Sequence, residues 1–336
     1  MGDDAECEFA RFVSGARTAD GAGASRGVPR RAVLRASDGV RIEAAYDPYE
    51  GAGSYEGGAA PCAIVLAHGF TGSVDRPAVR RAARVFAQYG GVVSFSFRGH
   101  GSSGGHSTVG DREVLDLAAA VAWARSLGHG RVATVGFSMG GSVVVRHGAL
   151  YRAGAHEGRT GAPSCASPDP VTDAVPEDAV PEAVADAAPD AAPDAVRDAA
   201  ADAVVAVSAP ARWYYRGTAP MRRLHWVIQR PVGRLVSRYG LRTRVHPRDW
   251  DPVPLSPVAA APLLAPTPLL VVHGDRDPYF PVDHPHSLAA AAEPHSTELW
   301  LVEGFGHAEN AAGPELLHRI GSWVAARWSG PAHGPA

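Results

Sequence analysis

The stretch that decides the fold is Arg131-Val132-Ala133-Thr134-Val135-Gly136-Phe137-Ser138-Met139-Gly140-Gly141-Ser142-Val143-Val144-Val145. Arg131–Phe137 reads as a buried strand, and the run from Gly140 to Tyr151 reads as a helix. Ser138 therefore sits in a turn with no loop on either side. A strand that enters a helix so abruptly needs small residues flanking the turn, and Gly136-Phe137-Ser138-Met139-Gly140 supplies them. The G-x-S-x-G pattern alone is weak evidence: with 38 Gly in 336 residues, about 0.3 matches arise by chance. A second match, Gly101-Ser102-Ser103-Gly104-Gly105, indeed occurs. Ser103 lies well past its strand and before the next helix, so context selects Ser138.

Working outward, strand and helix patterns alternate. Ala32–Arg35 and Val40–Ala44 read as a hairpin about Ser37-Asp38-Gly39, followed by a Gly-rich loop through Ala60. Ala63–Ala67 is a short, continuously apolar run, as expected of a strand covered on both faces. Helical spacing over Val79–Tyr89 and a strand over Val92–Phe97 come next. Thr108-Val109-Gly110-Asp111 fits a capping box that opens a helix through Leu127. After residue 203 the order resumes: a strand at Val204–Ser208, then strands at Leu269–Val272 and Glu298–Val302, with helices at Asp283–Ala292 and Pro314–Trp328. The succession predicts an α/β fold with a doubly wound, mostly parallel sheet.

Two segments break that rhythm. Residues 154–203 are Ala, Pro and acid with an Asp-Ala-Val-Pro-Glu repeat, and are read as a disordered low-complexity insertion. Residues 211–262 carry ten Arg and only two acids, with an apolar stripe of Leu224, Val227, Ile228, Leu235, Val236 and Tyr239. Pro231 either divides this helical pattern or starts its second half. Residues 1–30 read as a disordered lead-in and 331–336 as a tail, which leaves one domain over 31–330.

Composition narrows the function classes. All 32 basic residues are Arg, so lysine-based chemistry is excluded. The net charge of −3 argues against a general nucleic-acid binder. No apolar run approaches a membrane span, so no stable membrane insertion is expected. The acidic start, Gly2-Asp3-Asp4-Ala5-Glu6, is unlike a signal peptide, and a cytoplasmic location is expected. Cys7, Cys62 and Cys165 are too scattered for a disulfide framework or a zinc site.

A serine hydroxyl needs a base, and the base an orienting carboxylate. Such groups belong on loops at the carboxyl ends of strands. His307 follows the last strand and Asp277 follows the one before, so the chain order is Ser138, Asp277, His307. Asp275 is the rival acid, a residue that instead suits a turn cap. A metal reading of His273, Asp275, Asp277, His284 and His286 lacks ligand spacing, and neither metal nor cofactor is expected. An oxyanion needs two N–H donors. Met139, opening the helix after the nucleophile, and Phe70, in His68-Gly69-Phe70-Thr71-Gly72, are the candidates.

Together His68-Gly69-Phe70, Arg98-Gly99-His100-Gly101-Ser102, Gly136–Gly140, His273-Gly274-Asp275-Arg276-Asp277 and Gly306-His307 resemble the α/β-hydrolases of the esterase, lipase and serine aminopeptidase-like group. That resemblance implies Ser138 as nucleophile, His307 as base, Asp277 as acid, and Phe70 and Met139 N–H groups as the oxyanion hole. It further implies that residues 211–262 form a cap over the pocket. The expected activity is hydrolysis of a carboxylic ester or related acyl bond of a small apolar or anionic substrate. Thioester, amide or peptide hydrolysis and perhydrolysis use the same groups, and a non-catalytic ligand-binding protein on this scaffold is the alternative of a different class. The acidic insertion is a departure from the family whose purpose the resemblance does not supply.

Overall fold

The computed structural model describes residues 29–51, 62–152 and 198–328. The lead-in up to residue 28, most of the Gly-rich loop before Cys62, the insertion over 153–197, the tail, and with them Cys7 and Cys165, lie outside the described residues.

The chain builds one eight-stranded sheet in the order β1-β2-β4-β3-β5-β6-β7-β8. β1 (Arg30–Arg35) and β2 (Arg41–Asp47) form the expected hairpin, and β2 pairs antiparallel with β4 (Gly91–Phe95). β3 (Cys62–Ala67), β5 (Arg131–Phe137), β6 (Ala203–Val207), β7 (Leu269–Gly274) and β8 (Thr297–Val302) complete a parallel array with β4. β1 and β6 each begin inside ranges read from sequence as lead-in and insertion: Ala203 is buried and opens β6.

Side chains alternate between the two faces of the strands, and both faces are covered. Ile64, Leu66, Val92, Val135, Val205 and Leu270 meet α1 (Pro77–Phe86) and α9 (Pro314–Trp328) on one side. Val65, Val93, Phe95, Val204, Ala206 and Val271 meet α2 (Glu113–Ser126), α3 (Met139–Leu150) and α7 (Asp283–Ala291) on the other. This is why the strands read as unbroken apolar runs.

The capping box at Thr108 is a correction. α2 starts at Glu113, and Arg112 at its N-cap makes no side-chain cap bond. Val109 and Gly110 adopt positive φ, which breaks the helix that Thr108 would otherwise open. The buried Glu113 carboxylate instead accepts bonds from Thr108 N, Gly110 N and the hydroxyls of Ser107 and Thr108. A second buried group joins the hairpin to the core. Arg98 donates to Asp116 and to Asp38 in the β1–β2 turn, and this pairing holds its guanidinium charged.

Between β6 and β7 lie α4 (Ala219–Gln229), α5 (Pro231–Tyr239) and the short α6 (Pro257–Ala260). Thr218 caps α4, and Pro231 starts α5 with Arg230 closing the one helix and opening the other. A Cβ on Gly233 would lie 2.5 Å from Trp226 O, so only glycine permits this approach of the two helices. The segment after α5 then crosses the loop after β4 through bridges of Thr243 to His100 and Val245 to Ser107. The apolar stripe read from sequence does not pack inward along its length. Leu235, Val236 and Tyr239 are exposed, as are Trp226 and Val232, at 48–74%.

Four buried histidines make the fold acid-sensitive. His68 donates from Nδ1 to Gly69 O and accepts Phe97 N–H at Nε2, which fixes the neutral tautomer. Burial brings His68 and His147 down to about 3, and His100 and His284 down to about 4, from an ordinary 6.5. The unfolded chain therefore binds more protons below pH 6.5, so this stability is complete above 6.5 and is lost as pH falls towards 4. Four such groups give a slope of at most ~5 kcal/mol per pH unit. Native Asp116, pushed up to about 7 by burial, and Asp111 and Glu309, also raised by burial, reduce that slope. Urea unfolding should show a midpoint that drops steeply between pH 7 and pH 5; equal midpoints would contradict the assignment.

Candidate active site

Ser138 occupies the strained turn between β5 and α3, with φ 51° and ψ −116°. The flanking glycines are a packing necessity. A Cβ on Gly136 would lie 2.1 Å from Gly140 O, and one on Gly140 would lie 2.4 Å from Ala67 O. Ser138 N–H donates to Val207 O at 2.8 Å, which fastens the turn to the neighbouring strand. The helix begins at Met139, one residue earlier than its sequence reading.

His307 leaves the loop after β8 and comes within 2.9 Å of Ser138 Oγ through Nε2. Its Nδ1 lies 2.7 Å from Asp277 Oδ2. The hydroxyl donates to Nε2, and Nδ1–H donates to the carboxylate. Asp277 Oδ1 accepts the N–H groups of Tyr279 and Phe280 at 2.8 and 3.1 Å. Burial alone would raise this carboxyl, but the His307 bond and charge and the two amides hold it below the usual carboxylate range. Among the described residues, the three groups brought together are those the sequence selected.

The rivals are engaged elsewhere. Asp275 is exposed and accepts Gly304 N–H at 2.7 Å, tying the β7 loop to the β8 loop. Ser103 is buried, donates to Ser96 O at 2.6 Å and accepts Glu43 N–H at 2.9 Å. The histidines of the metal reading do not converge. His273 donates from Nε2 to Phe280 O, and His284 accepts Ala211 N–H at Nδ1. No group of three or more potential ligands with metal-holding geometry occurs among the described residues.

Met139 N–H lies in the first turn of α3, where a helix provides no internal acceptor. Phe70 sits in a turn closed by Gly72 N–H on Gly69 O, with Thr71 at φ 70°. Its ring packs edge-on against His100 at 5.7 Å. Beside this loop lies a cleft of about 350 Å³ lined by Thr71, Gly72, Ser102, Leu241 and Arg242 among others. A larger open depression, about 610 Å³, lies on α4 between Arg222, Arg223 and Trp226, away from Ser138.

Sequence reading missed Tyr279. Its ring lies 4.3 Å from that of His307, tilted by 31°, while its carbonyl accepts the Thr218 hydroxyl. It thus links the start of α4 to the imidazole. Adjacency to Asp277-Pro278 was the available signal, but nothing in the pattern fixes a ring's direction.

The profile of the alpha/beta hydrolase family matches residues 64–317. No curated protein matches. Among solved structures, an esterase of Pyrococcus furiosus, Pf2001, is similar at 20% identity and TM-score 0.58, covering 90% of this chain and 94% of that one. The esterase domain of a Rhodothermus marinus protein is similar at 16% identity and TM-score 0.53, covering 90% and 98%. Est1E of Butyrivibrio proteoclasticus, solved with ferulic acid, is similar at 15% identity and TM-score 0.50, covering 89% and 100%. At these identities the structural likeness speaks for the fold alone. The family match spans most of the chain, from β3 to the last helix, and the chain belongs to the alpha/beta hydrolase family.

Proposed function

We propose that the protein is a serine hydrolase of carboxylic esters or related acyl compounds. The observation that carries this reading is the hydrogen-bonded chain from Ser138 Oγ through His307 to Asp277, mounted on a strained turn. Ser138 attacks the acyl carbonyl as His307 Nε2 takes its proton. Asp277 holds Nδ1–H and stabilises the imidazolium that forms. Phe70 and Met139 N–H groups receive the developing oxyanion. The imidazolium then returns its proton to the leaving alcohol, and a water activated by His307 releases the acid and frees Ser138.

Esters are the proposed class because structures of the same fold include esterases. No described helix is long and apolar enough to cross a membrane. The test is turnover of p-nitrophenyl acetate beside the matched anilide and thioester. Ester hydrolysis well above that of buffer is expected; hydrolysis of the anilide alone would overturn the ester assignment.

A further inference from the structure

Glu309 has no part in the steps above, yet it lies against them. It is two residues past His307 on α8 (Ala308–Ala311), 6% exposed. Its Oε1 accepts Gly69 N–H at 3.1 Å, and its Oε2 has no partner among the described residues. Burying a carboxyl for one hydrogen bond costs free energy that the rest of the fold must offset. Arg81 on α1 donates to Glu309 O and Ala312 O, so the short helix that carries the carboxyl is anchored from outside. Ala308 N–H donates to Ser208 Oγ at 3.1 Å, fixing its other end.

The consequence falls on Phe70. Its N–H shares a planar trans peptide with Gly69 C=O, so the two point in opposite directions. Gly69 O is held by His68 Nδ1–H at 2.7 Å and Gly72 N–H at 2.9 Å. Glu309 holds the other side of Gly69 through its N–H. A Cβ on Gly69 would lie 3.2 Å from both Glu309 oxygens and 3.3 Å from Ser138 Cβ, so this residue is wedged between the carboxyl and the nucleophile.

We propose that Glu309 is a positioning residue that clamps Gly69 against Ser138 and thereby sets the Phe70 N–H as an oxyanion donor. This rests on the serine-hydrolase reading above. Without the clamp, Gly69 relaxes towards α8 and the Phe70 amide leaves its register with the carbonyl under attack. Displacement by about 1 Å is enough to cost up to ~100-fold.

The test compares kcat and KM for p-nitrophenyl acetate in the parent, Glu309→Ala, Glu309→Asp, Glu309→Gln and Ser138→Ala, with kcat expressed per serine labelled at fluorophosphonate end point. Ala removes the acceptor and Asp falls short of Gly69, so both should lower kcat roughly 10- to 100-fold with KM within about 2-fold. Gln keeps an acceptor at the same reach and should restore kcat to within about 3-fold. If Glu309→Ala fails to fold, the Asp and Gln variants decide. A parent-like kcat in the Ala or Asp variant, a change in KM alone, or a Gln variant as impaired as the Asp variant overturns the inference. Parent-like turnover in a folded Ser138→Ala protein overturns the catalytic reading instead, so the two failures are distinguishable.

Discussion

Replacing Ser138 with Ala is expected to lower kcat/KM for a short p-nitrophenyl ester by roughly 10⁴-fold or more, about 5.5 kcal/mol of transition-state stabilisation. The whole covalent route disappears with Oγ, because His307 Nε2 then has no hydroxyl to deprotonate. Residual turnover above buffer comes from binding and from the Phe70 and Met139 amides, which do not depend on the side chain. The fold should be unaffected. The turn is secured by Ser138 N–H on Val207 O and by Gly136 and Gly140, all untouched by the substitution. Far-ultraviolet circular dichroism and the urea midpoint should match the parent while turnover falls to that residual level. A folded Ser138→Ala protein with parent-like turnover would remove the nucleophile from the account.

Asp277→Asn should cost about 10³- to 10⁴-fold in kcat with KM little changed. The geometry gives the reason. Tyr279 and Phe280 N–H groups both donate to Oδ1, so the Asn side chain must keep its carbonyl oxygen there. Its NH₂ then takes the place of Oδ2 and donates to His307 Nδ1. The imidazole is forced to carry its hydrogen on Nε2, facing Ser138, where it can no longer accept the hydroxyl proton. Asp275→Asn is the matched control, since that carboxylate touches Gly304 N–H and not the imidazole. It should leave kcat within about 2-fold, because its effect is limited to the surface link between two loops. The steady-state comparison of the two variants separates the acids: a larger loss from Asp275→Asn would reverse the assignment.

How far the sequence could be read follows from where each signal originates. β3 and β5 were legible because strands buried on both faces must be apolar throughout, a local property. Ser138 was legible because the turn tolerates nothing larger than glycine at 136 and 140, so the constraint is written in adjacent residues. His307 and Asp277 needed only chain order and the ends of strands. Asp275 stayed a rival in sequence because two carboxylates two residues apart differ only in which way the loop turns them. The backbone amides of Tyr279 and Phe280 make that distinction.

Illegible features depend on contacts distant in sequence. Thr108 looked like a helix cap, but the Glu113 carboxylate gathers the donors around it and the helix starts later. The segment between β6 and β7 is stitched by Trp213 against Trp250 and by Trp250 donating to Thr108 O, pairings that no periodicity announces. Its exposed Leu235, Val236 and Tyr239 also break the rule that an apolar stripe marks the buried side. Nothing local in the sequence marks Glu309, because its partner Gly69 lies 240 positions earlier.

The central claim is that Ser138 is an activated nucleophile, and a fluorophosphonate probe tests it without requiring a known substrate. The account predicts one adduct per folded chain, located by mass spectrometry on Ser138 and absent from Ser138→Ala. A folded parent protein that takes up no probe, or that is labelled at Ser103 or another serine instead, would contradict it.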